Sequence, residues 1–303
     1  MSVVFKHLNF LYSPNSPLQV AALKDINLTI KDNSFTCLIG HTGSGKSTLV
    51  QQINALLVPN SGEVNVNGII VTNKANQKAI KKSLKKEKKE YKQSFDIKEL
   101  RKGVGLVFQF PEYQLFEETV LKDVSFGPKN FSYSNEEAEV LAKDALSLVG
   151  IDEELFERNP FELSGGQRRR VAIAGIITLK PKILILDEPP AGLDPQGSKE
   201  MMDLFEKIHQ SGTTIIMVTH DMDNVIRYGS DVVVLSKGEI IKECKPYELF
   251  LDRNVLKELS IEEPKVISFA KELNNNGYSI NLENVNDVVS LVKEIKKESD
   301  KHE

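Results

Sequence analysis

Residues 40 to 47 read Gly40-His41-Thr42-Gly43-Ser44-Gly45-Lys46-Ser47. They fit the pattern G-x-x-x-x-G-K-[ST] of a phosphate-binding loop, in which glycines let backbone N–H groups turn onto phosphate oxygens. A β-rich apolar run at 35–39 comes before the loop and a helical pattern at about 47–57 follows it, so a chance match is disfavoured. We expect Lys46 to reach the β- and γ-phosphates of a nucleotide and Ser47 to hold Mg²⁺.

The composition is that of a globular chain larger than one average domain, with 303 residues, 40% hydrophobic and 27% charged. Two cysteines, Cys37 and Cys244, cannot build a disulfide framework and indicate a reducing compartment. Neither a signal-peptide pattern nor an apolar run of about 18 residues is found. We therefore expect a cytoplasmic protein whose membrane role, if it has one, comes through a partner.

One basic segment stands out against the net charge of −4. Residues 74–102 contain 12 Lys/Arg and 4 Asp/Glu, so this segment is about +8 and the remainder about −12. It lacks Pro and Gly and is poor in apolar residues, which predicts an exposed helix or a partly disordered insertion. A contact with anionic lipid or nucleic acid is the alternative, but a solvated surface segment is favoured.

The N-terminal part is predicted to be antiparallel β structure. Residues 3–10 and 22–30 alternate between apolar and polar positions around a turn, and residues 63–72 alternate again, as a further strand or hairpin would. Tyr12 lies at the end of the first strand. It could stack on an adenine ring or be an ordinary surface tyrosine beside a turn.

The middle of the chain is predicted to begin with a buried strand and to continue with helices. The strand 103–109 ends in Gln109, and the loop 110–116 is rich in aromatic residues. Such a loop is either a contact site or packs beneath the next helices. Residues 119–158 have mostly helical periodicity, which predicts a helical subdomain.

A second anion-binding pattern, Leu163-Ser164-Gly165-Gly166-Gln167, opens the next predicted helix, which runs from Arg168 to about Leu179. Ser164 suits an N-cap, and the two glycines leave N–H groups bare at the positive end of the helix. The two sites could each hold phosphate, or one could complete the other across a dimer.

Two further candidate residues follow predicted strands. The apolar strand 183–186 leads into Asp187-Glu188, where the first carboxylate could order Mg²⁺ and the second could orient or deprotonate water. The strand 213–218 is followed by His220, which could donate to a γ-phosphate or a water. A solvated strand end and a structural histidine are the alternatives, which the preceding phosphate loop disfavours.

The order of these motifs resembles that of nucleotide-binding subunits of ATP-binding cassette (ABC) proteins, over roughly residues 1–245. The resemblance implies an α/β fold of the P-loop NTPase class: a mixed, mainly parallel core sheet, an antiparallel β subdomain and a helical subdomain at about 115–180. Residues 246–303, with amphipathic helical patterns, would form a small C-terminal extension available for dimer or partner contact.

The similarity is closer to one branch, the ATPases of energy-coupling factor transporters of the cobalt/vitamin type, and within it to the second of the paired ATPases. The runs that carry it are 107–120 (VFQFPEYQLFEETV), 126–130 (FGPKN) and 167–175 (QRRRVAIAG). The resemblance implies a heterodimer with a sister ATPase at the cytoplasmic face of the membrane. The pair would drive a transmembrane coupling protein that engages a separate substrate-binding membrane protein, for uptake of vitamins or trace metal ions.

The resemblance also implies residue roles. Glu188 would be the general base, His220 would steady the γ-phosphate, and Asp194 would link the two sites of the dimer. Ser47, Gln109 and Asp187 would surround Mg²⁺. The positions expected to bind ATP are Tyr12, Gly40, His41, Thr42, Gly43, Ser44, Gly45, Lys46, Ser47, Thr48, Asp194 and, toward the partner's ATP, Ser164, Gly165, Gly166 and Gln167. The loop after Gln109 would receive the membrane partner.

Two features depart from the family pattern. Pro190 stands where Thr is usual and could shift the Asp194 turn, and the basic insertion at 74–102 is long. A soluble ABC ATPase acting on ribosomes or nucleic acid is the rival interpretation, supported only by that insertion, so we expect no nucleic-acid partner. A non-hydrolysing regulatory module is disfavoured by the complete set of catalytic residue types.

Overall fold

The computed structural model describes residues 3–86, 96–259 and 261–299. An antiparallel sheet of four strands has the order β2-β1-β4-β5. Its strands are β1 Val3–Tyr12, β2 Val20–Ile30, β4 Ser61–Val66 and β5 Ile69–Val71. The alternating residues predicted this sheet, and β4 and β5 form the hairpin expected within 63–72.

A second sheet of six strands forms the centre of the chain, in the order β10-β9-β3-β8-β7-β6. Its strands are β3 Phe35–Ile39, β6 Val104–Val107, β7 Ile183–Asp187, β8 Thr214–Val218, β9 Asp231–Ser236 and β10 Glu239–Cys244. All neighbours pair in parallel except β9 and β10. Because parallel strands end at one edge, the residues after β3, β7 and β8 meet there. The predicted α/β class with a mixed sheet is confirmed.

Helices cover both faces of the central sheet. They are α1 Lys46–Ile53, α2 Lys74–Lys86, α3 Ile97–Gly103, α4 Val120–Asn130, α5 Asn135–Leu148, α6 Gly165–Ile177, α7 Pro195–Gln210, α8 Met222–Tyr228, α9 Pro246–Leu251, α10 Arg253–Glu258, α11 Lys265–Asn275 and α12 Val288–Ser299. No helix among the described residues is both long enough and apolar enough to cross a membrane.

Alternate residues of the central strands enter two hydrophobic cores. Phe35 and Cys37 pack into the core shared with α4–α7, whereas Leu38 packs with α1 and the antiparallel sheet. This follows from the two-residue period of a strand. The phosphate loop at the end of β3 is therefore fixed from both sides.

Helix α6 begins earlier than the sequence analysis predicted. It starts at Gly165 instead of Arg168, because Ser164 and Gln167 form a reciprocal capping box. The predicted N-cap Ser164 is correct. The helix predicted at about 47–57 is shorter than expected. It ends at Ile53, and Ala55 shortly after it has a positive φ of 56°.

The basic segment forms helices where it is described. Asn76 and Gln77 anchor α2 to Thr72, and Lys74, Lys78 and Lys82 are exposed. Residues 87–95 lie outside the described part, so the alternative of partial disorder is untested there. The exposed helix is the interpretation that the described residues bear out.

Candidate nucleotide site

Two glycines of the phosphate loop have backbones that only glycine adopts without strain. Gly40 has a φ of +145° and Gly45 a φ of +105°. A Cβ at Gly40 would lie 2.1 Å from the carbonyl oxygen of Leu235, and one at Gly45 would lie 2.6 Å from that of Ala22. The pattern of glycines in the sequence is therefore required by close backbone approaches. The loop has the tight cradle that phosphate binding needs.

Lys46 lies inside this cradle. Its Nζ donates hydrogen bonds to the carbonyl oxygens of Gly40 (2.7 Å) and His41 (2.9 Å). Burial lowers the pKa of Lys46, and the negative charges of Glu188 and Asp187 oppose this shift. The ammonium group of Lys46, held by backbone oxygens and close to two carboxylates, is suited to bind phosphate oxygens.

Ser47 and Asp187 come together although they are 140 positions apart in the sequence. The Ser47 hydroxyl donates to Oδ1 of Asp187 over 3.4 Å. Burial raises the pKa of Asp187, and the bond from Ser47 works in the opposite direction. These two oxygen donors fit Mg²⁺, which typically takes one or two protein oxygens and completes its shell with water and substrate phosphates. No cluster of three or more His, Cys, Asp or Glu side chains that could hold a metal occurs in the described part of the chain.

Glu188 is the meeting point of the predicted catalytic residues. Its Oε2 accepts from Nε2 of Gln109 at 3.2 Å, and its Oε1 lies 3.1 Å from Nδ1 of His220. The backbone of Glu188 is left-handed, with a φ of 50°, and its N–H donates to the Val218 carbonyl. Strain of this kind is tolerated where surrounding structure holds it, and it is common at functional sites.

Tyr12 lies beside the phosphate loop, as an adenine-stacking residue would. Its hydroxyl is 3.1 Å from Oγ1 of Thr48, and Phe10 packs edge-on against its ring. Tyr12 is 41% exposed. A cavity of about 360 Å³ is lined by Tyr12, Ala22, Thr42, Gly43 and the loop residues from Gly45 to Thr48. The structure therefore brings Tyr12, Thr48 and the loop together.

The second anion-binding pattern is not brought to the phosphate loop. Gly165 and Gly166 line a separate cavity of about 420 Å³, together with Asp194 and the aromatic residues Phe110 and Tyr113. A Cβ at either glycine would meet no atom within 4 Å, so this helix N-terminus is open. Asp194 caps α7 by accepting from Gly197 N at 2.9 Å. Of the two alternatives, this separation favours completion of a site across a dimer.

Comparison with known proteins identifies the family. The sequence model of the ABC transporter family matches residues 23–191. The energy-coupling factor transporter ATP-binding protein EcfA2 of Streptococcus pneumoniae is 52% identical over 279 residues, which are 92% of this chain and 94% of that protein. The EcfA2 protein of Streptococcus pyogenes is also 52% identical, over 280 residues and the same shares of the two chains. This chain belongs to the energy-coupling factor ATPases of the ABC transporter family.

Solved structures agree with this assignment. CbiO1 of Clostridium perfringens, part of the ABC transporter complex cbiONQ, aligns with a TM-score of 0.67 and 36% identity, covering 89% of this chain and 98% of that one. An ATP-binding cassette solved as a post-hydrolysis dimer with ADP and Pi aligns with a TM-score of 0.64 and 30% identity, covering 80% of this chain and 98% of that one. The family resemblance seen in the sequence is confirmed.

Two features of this energy-coupling factor ATPase were missed by sequence reasoning. A cavity of about 760 Å³ beside the phosphate loop is lined by Lys46, Glu188 and His220 on one side and by Leu259 and residues 261–265 of the C-terminal extension on the other. The second feature is the burial of Arg169, only 3% exposed, beneath the site. The run of three arginines before the apolar part of this helix is the one sequence signal that could have indicated the buried arginine.

Proposed function

We propose that this ATPase hydrolyses ATP with Glu188 as the general base and powers an energy-coupling factor importer. The observation that carries the proposal is the convergence of Gln109 and His220 on the Glu188 carboxylate, next to the phosphate loop. A carboxylate held between two side chains, with one face toward the γ-phosphate position, is placed to orient and deprotonate a water. Lys46 and the loop N–H groups would bind the phosphates.

The contact with Glu188 positions the imidazole of His220. Its Nδ1 lies 3.1 Å from Oε1 of Glu188, beside the proposed general base. His220 would steady the γ-phosphate from this position.

Mg²⁺ would be held by Ser47 and Asp187, with Gln109 adjacent, and it would supply charge neutralisation of the β- and γ-phosphates when bound. Gln109 bonds to Glu188 and so links the metal side of the site to the base. Tyr12 would stack on the adenine. These roles are supported by the cradle geometry and by the oxygen donors that face the loop.

Dimerisation would complete the catalytic site. Ser164, Gly165, Gly166 and Gln167 would close over the ATP of a sister ATPase, and Asp194 would connect the two sites. The separation of the helix α6 N-terminus from the phosphate loop supports this arrangement, as does the dimeric relative. Similarity to the second of the paired ATPases favours a heterodimer.

The family supports the membrane partners proposed for this ATPase. The aromatic surface of Phe110, Tyr113, Phe116 and Phe126, each 42–84% exposed, would receive the transmembrane coupling protein. That protein would engage a separate substrate-binding subunit for vitamins or trace metal ions. We place the ATPase at the cytoplasmic face of the membrane as a peripheral subunit, with residues 1–245 as the ATPase domain and 246–303 as an extension.

Two experiments test the proposal together. A tagged chain is purified from detergent-solubilised native membranes, and its co-purifying proteins are identified by mass spectrometry. We expect a second ABC ATPase and a multi-spanning protein; recovery of ribosomal proteins or nucleic acid alone would support the soluble rival instead. In the purified complex, Glu188→Gln is expected to lower the ATP turnover number at least a hundredfold while ATP still binds. Unchanged turnover would remove Glu188 from the role of base.

A further inference from the structure

Arg169 connects the loop at Gln109 with the turn at 189–191 by donating hydrogen bonds to three backbone carbonyls. Its Nη1 donates to the Ala191 carbonyl at 2.7 Å, and its Nη2 donates to the carbonyls of Gln109 and Pro189, both also at 2.7 Å. The planar guanidinium, with five donors in a fixed geometry, suits three acceptors that converge on one position.

The three carbonyls belong to the segments that carry the chemistry. Gln109 contacts the base Glu188 through its side chain, and Pro189 is the residue after that base. Ala191 lies in the turn that leads to Asp194. Arg169 itself belongs to α6, whose first residues Gly165 and Gly166 line the separate cavity with Asp194. One side chain therefore ties the Gln109 loop and the turn after Glu188 to helix α6.

The burial of this charge indicates a specific role. Arg169 is nearly inaccessible to water, and the carboxylate of Glu112 acts on it from the loop after Gln109. Burying a charge in a protein is unfavourable unless hydrogen bonds and opposite charges compensate it. An apolar side chain could fill the same space and would need no such compensation. The property that Arg169 adds at this position is therefore its set of hydrogen-bond donors.

The same contacts bear on Pro190. Arg169 holds the carbonyls on either side of it, while Ala191 N donates to Glu188 O and Leu193 N donates to Pro190 O, each at 3.1 Å. Proline lacks an N–H and fixes its φ. The turn that departs from the family pattern is thus held by Arg169 from one side and by its own backbone from the other.

We infer that Arg169 is a positioning residue of the ATPase cycle: its guanidinium locks the Gln109 loop and the turn from Pro189 to Ala191 to helix α6. The inference rests on the proposed function, in which Gln109 and Glu188 carry hydrolysis. Arg169 touches no nucleotide-binding residue of the phosphate loop. Its loss therefore acts on turnover and leaves ATP affinity in place.

The kinetic test compares Arg169→Met and Arg169→Lys in the purified complex. We expect Arg169→Met to lower kcat at least tenfold with KM for ATP changed less than threefold. Arg169→Lys, which keeps the charge but not the fork, should give an intermediate kcat. Arg101→Met is the matched control, because Arg101 also donates to two backbone carbonyls, those of Asn54 and Ala55, away from the site; its kcat should stay within twofold.

A spectroscopic test does not depend on turnover. The chain contains no tryptophan, so an introduced one gives the only tryptophan emission of this chain. The ring of Phe110 lies close to Gly192, because a Cβ built on Gly192 would be 3.6 Å from that ring. The variant Phe110→Trp therefore reports on the contact between the loop and the turn. In this background we expect Arg169→Met, and to a lesser extent Arg169→Lys, to shift the emission to longer wavelength at unchanged circular dichroism. Arg101→Met should leave it unchanged.

The outcomes separate the two proposals. An inactive wild-type complex, or full activity of Glu188→Gln, contradicts the proposed function, while the tryptophan emission of the Phe110→Trp background still tests Arg169. Folded Arg169→Met with unchanged kcat and unchanged emission overturns the inference. Failure of both Arg169 variants to fold also overturns it, because the side chain would then serve stability alone.

Discussion

At the level of single residues, the site brings carboxylates and a lysine out of water next to the phosphate loop. Burial raises the pKa of Asp187 and lowers the pKa of Lys46, so both shifts disfavour the charged forms. A raised carboxyl pKa in the folded state means that the ionised group reduces the free energy of unfolding at neutral pH. The metal-binding role proposed for Asp187 would thus be obtained at the expense of stability.

The variant Asp187→Asn tests this conflict between stability and function. Asparagine keeps an oxygen that can accept from Ser47 but has no charge, so we expect a melting temperature about 2–4 °C higher at neutral pH, equivalent to about 1 kcal/mol. Mg²⁺-dependent ATP hydrolysis should be lost. The stability gap between wild type and variant should close as pH falls through the raised pKa of Asp187, because the wild-type carboxyl then becomes neutral in the folded state. A gap that is independent of pH would argue against burial of the charge as the cause.

The sequence points to individual candidate residues where a motif carries its own chemistry. Gly40, Lys46, Ser47 and Glu188 were predicted from local patterns, and the structure brings Lys46, Ser47 and Glu188 together at one edge of the central sheet. Arg169 was not predicted, because its role depends on three carbonyls that are 20 to 60 positions away in the chain. Local pattern cannot reveal a contact whose partners are backbone atoms of distant segments.

At the level of elements, helix α6 shows how one cap can serve two purposes. Ser164 Oγ accepts from Gln167 N at 3.3 Å and Gln167 Oε1 accepts from Ser164 N at 3.0 Å. The box fixes the start of the helix and at the same time leaves Gly165 and Gly166 open, where the proposed dimer partner would bind. The boundary was predicted three residues late, because the glycines were taken as loop although the capping box draws them into the first turn.

A matched pair of variants separates these purposes. Helix α5 begins with the same device: Ser134 Oγ accepts from Glu137 N at 3.1 Å and Glu137 Oε2 accepts from Ser134 N at 2.8 Å. Ser134→Ala and Ser164→Ala should each reduce the free energy of unfolding by about 1 kcal/mol, measured by urea denaturation. Only Ser164→Ala should also lower ATP turnover in the purified complex, by at least tenfold. Equal turnover in the two variants would limit Ser164 to a structural role.

At the level of the whole molecule, the C-terminal extension is joined to the ATPase core. Leu249 and Phe250 of α9 are completely buried in the same hydrophobic core as Phe35 and Phe205. Leu259 and residues 261–265 also line the large cavity beside the phosphate loop. The change of sequence character near Pro246 suggested a boundary, but composition does not reveal that apolar residues on short helices complete a core begun about 200 residues earlier.

Truncation tests whether residues 1–245 form a domain that folds alone. Removing 246–303 would uncover the core that α9 covers, so we expect the shortened chain to be insoluble or to unfold at a temperature at least 10 °C lower, measured by circular dichroism. Phe250→Ala in the full chain should cost about 3–5 kcal/mol, because it leaves a cavity in a packed core. Leu251→Ala is the control on the same helix, since Leu251 is half exposed and its loss should cost less than about 1 kcal/mol. A truncated chain that unfolds cooperatively at the wild-type temperature and binds ATP equally well would instead make the extension an independent unit, whose contacts with the core add nothing to the stability of residues 1–245.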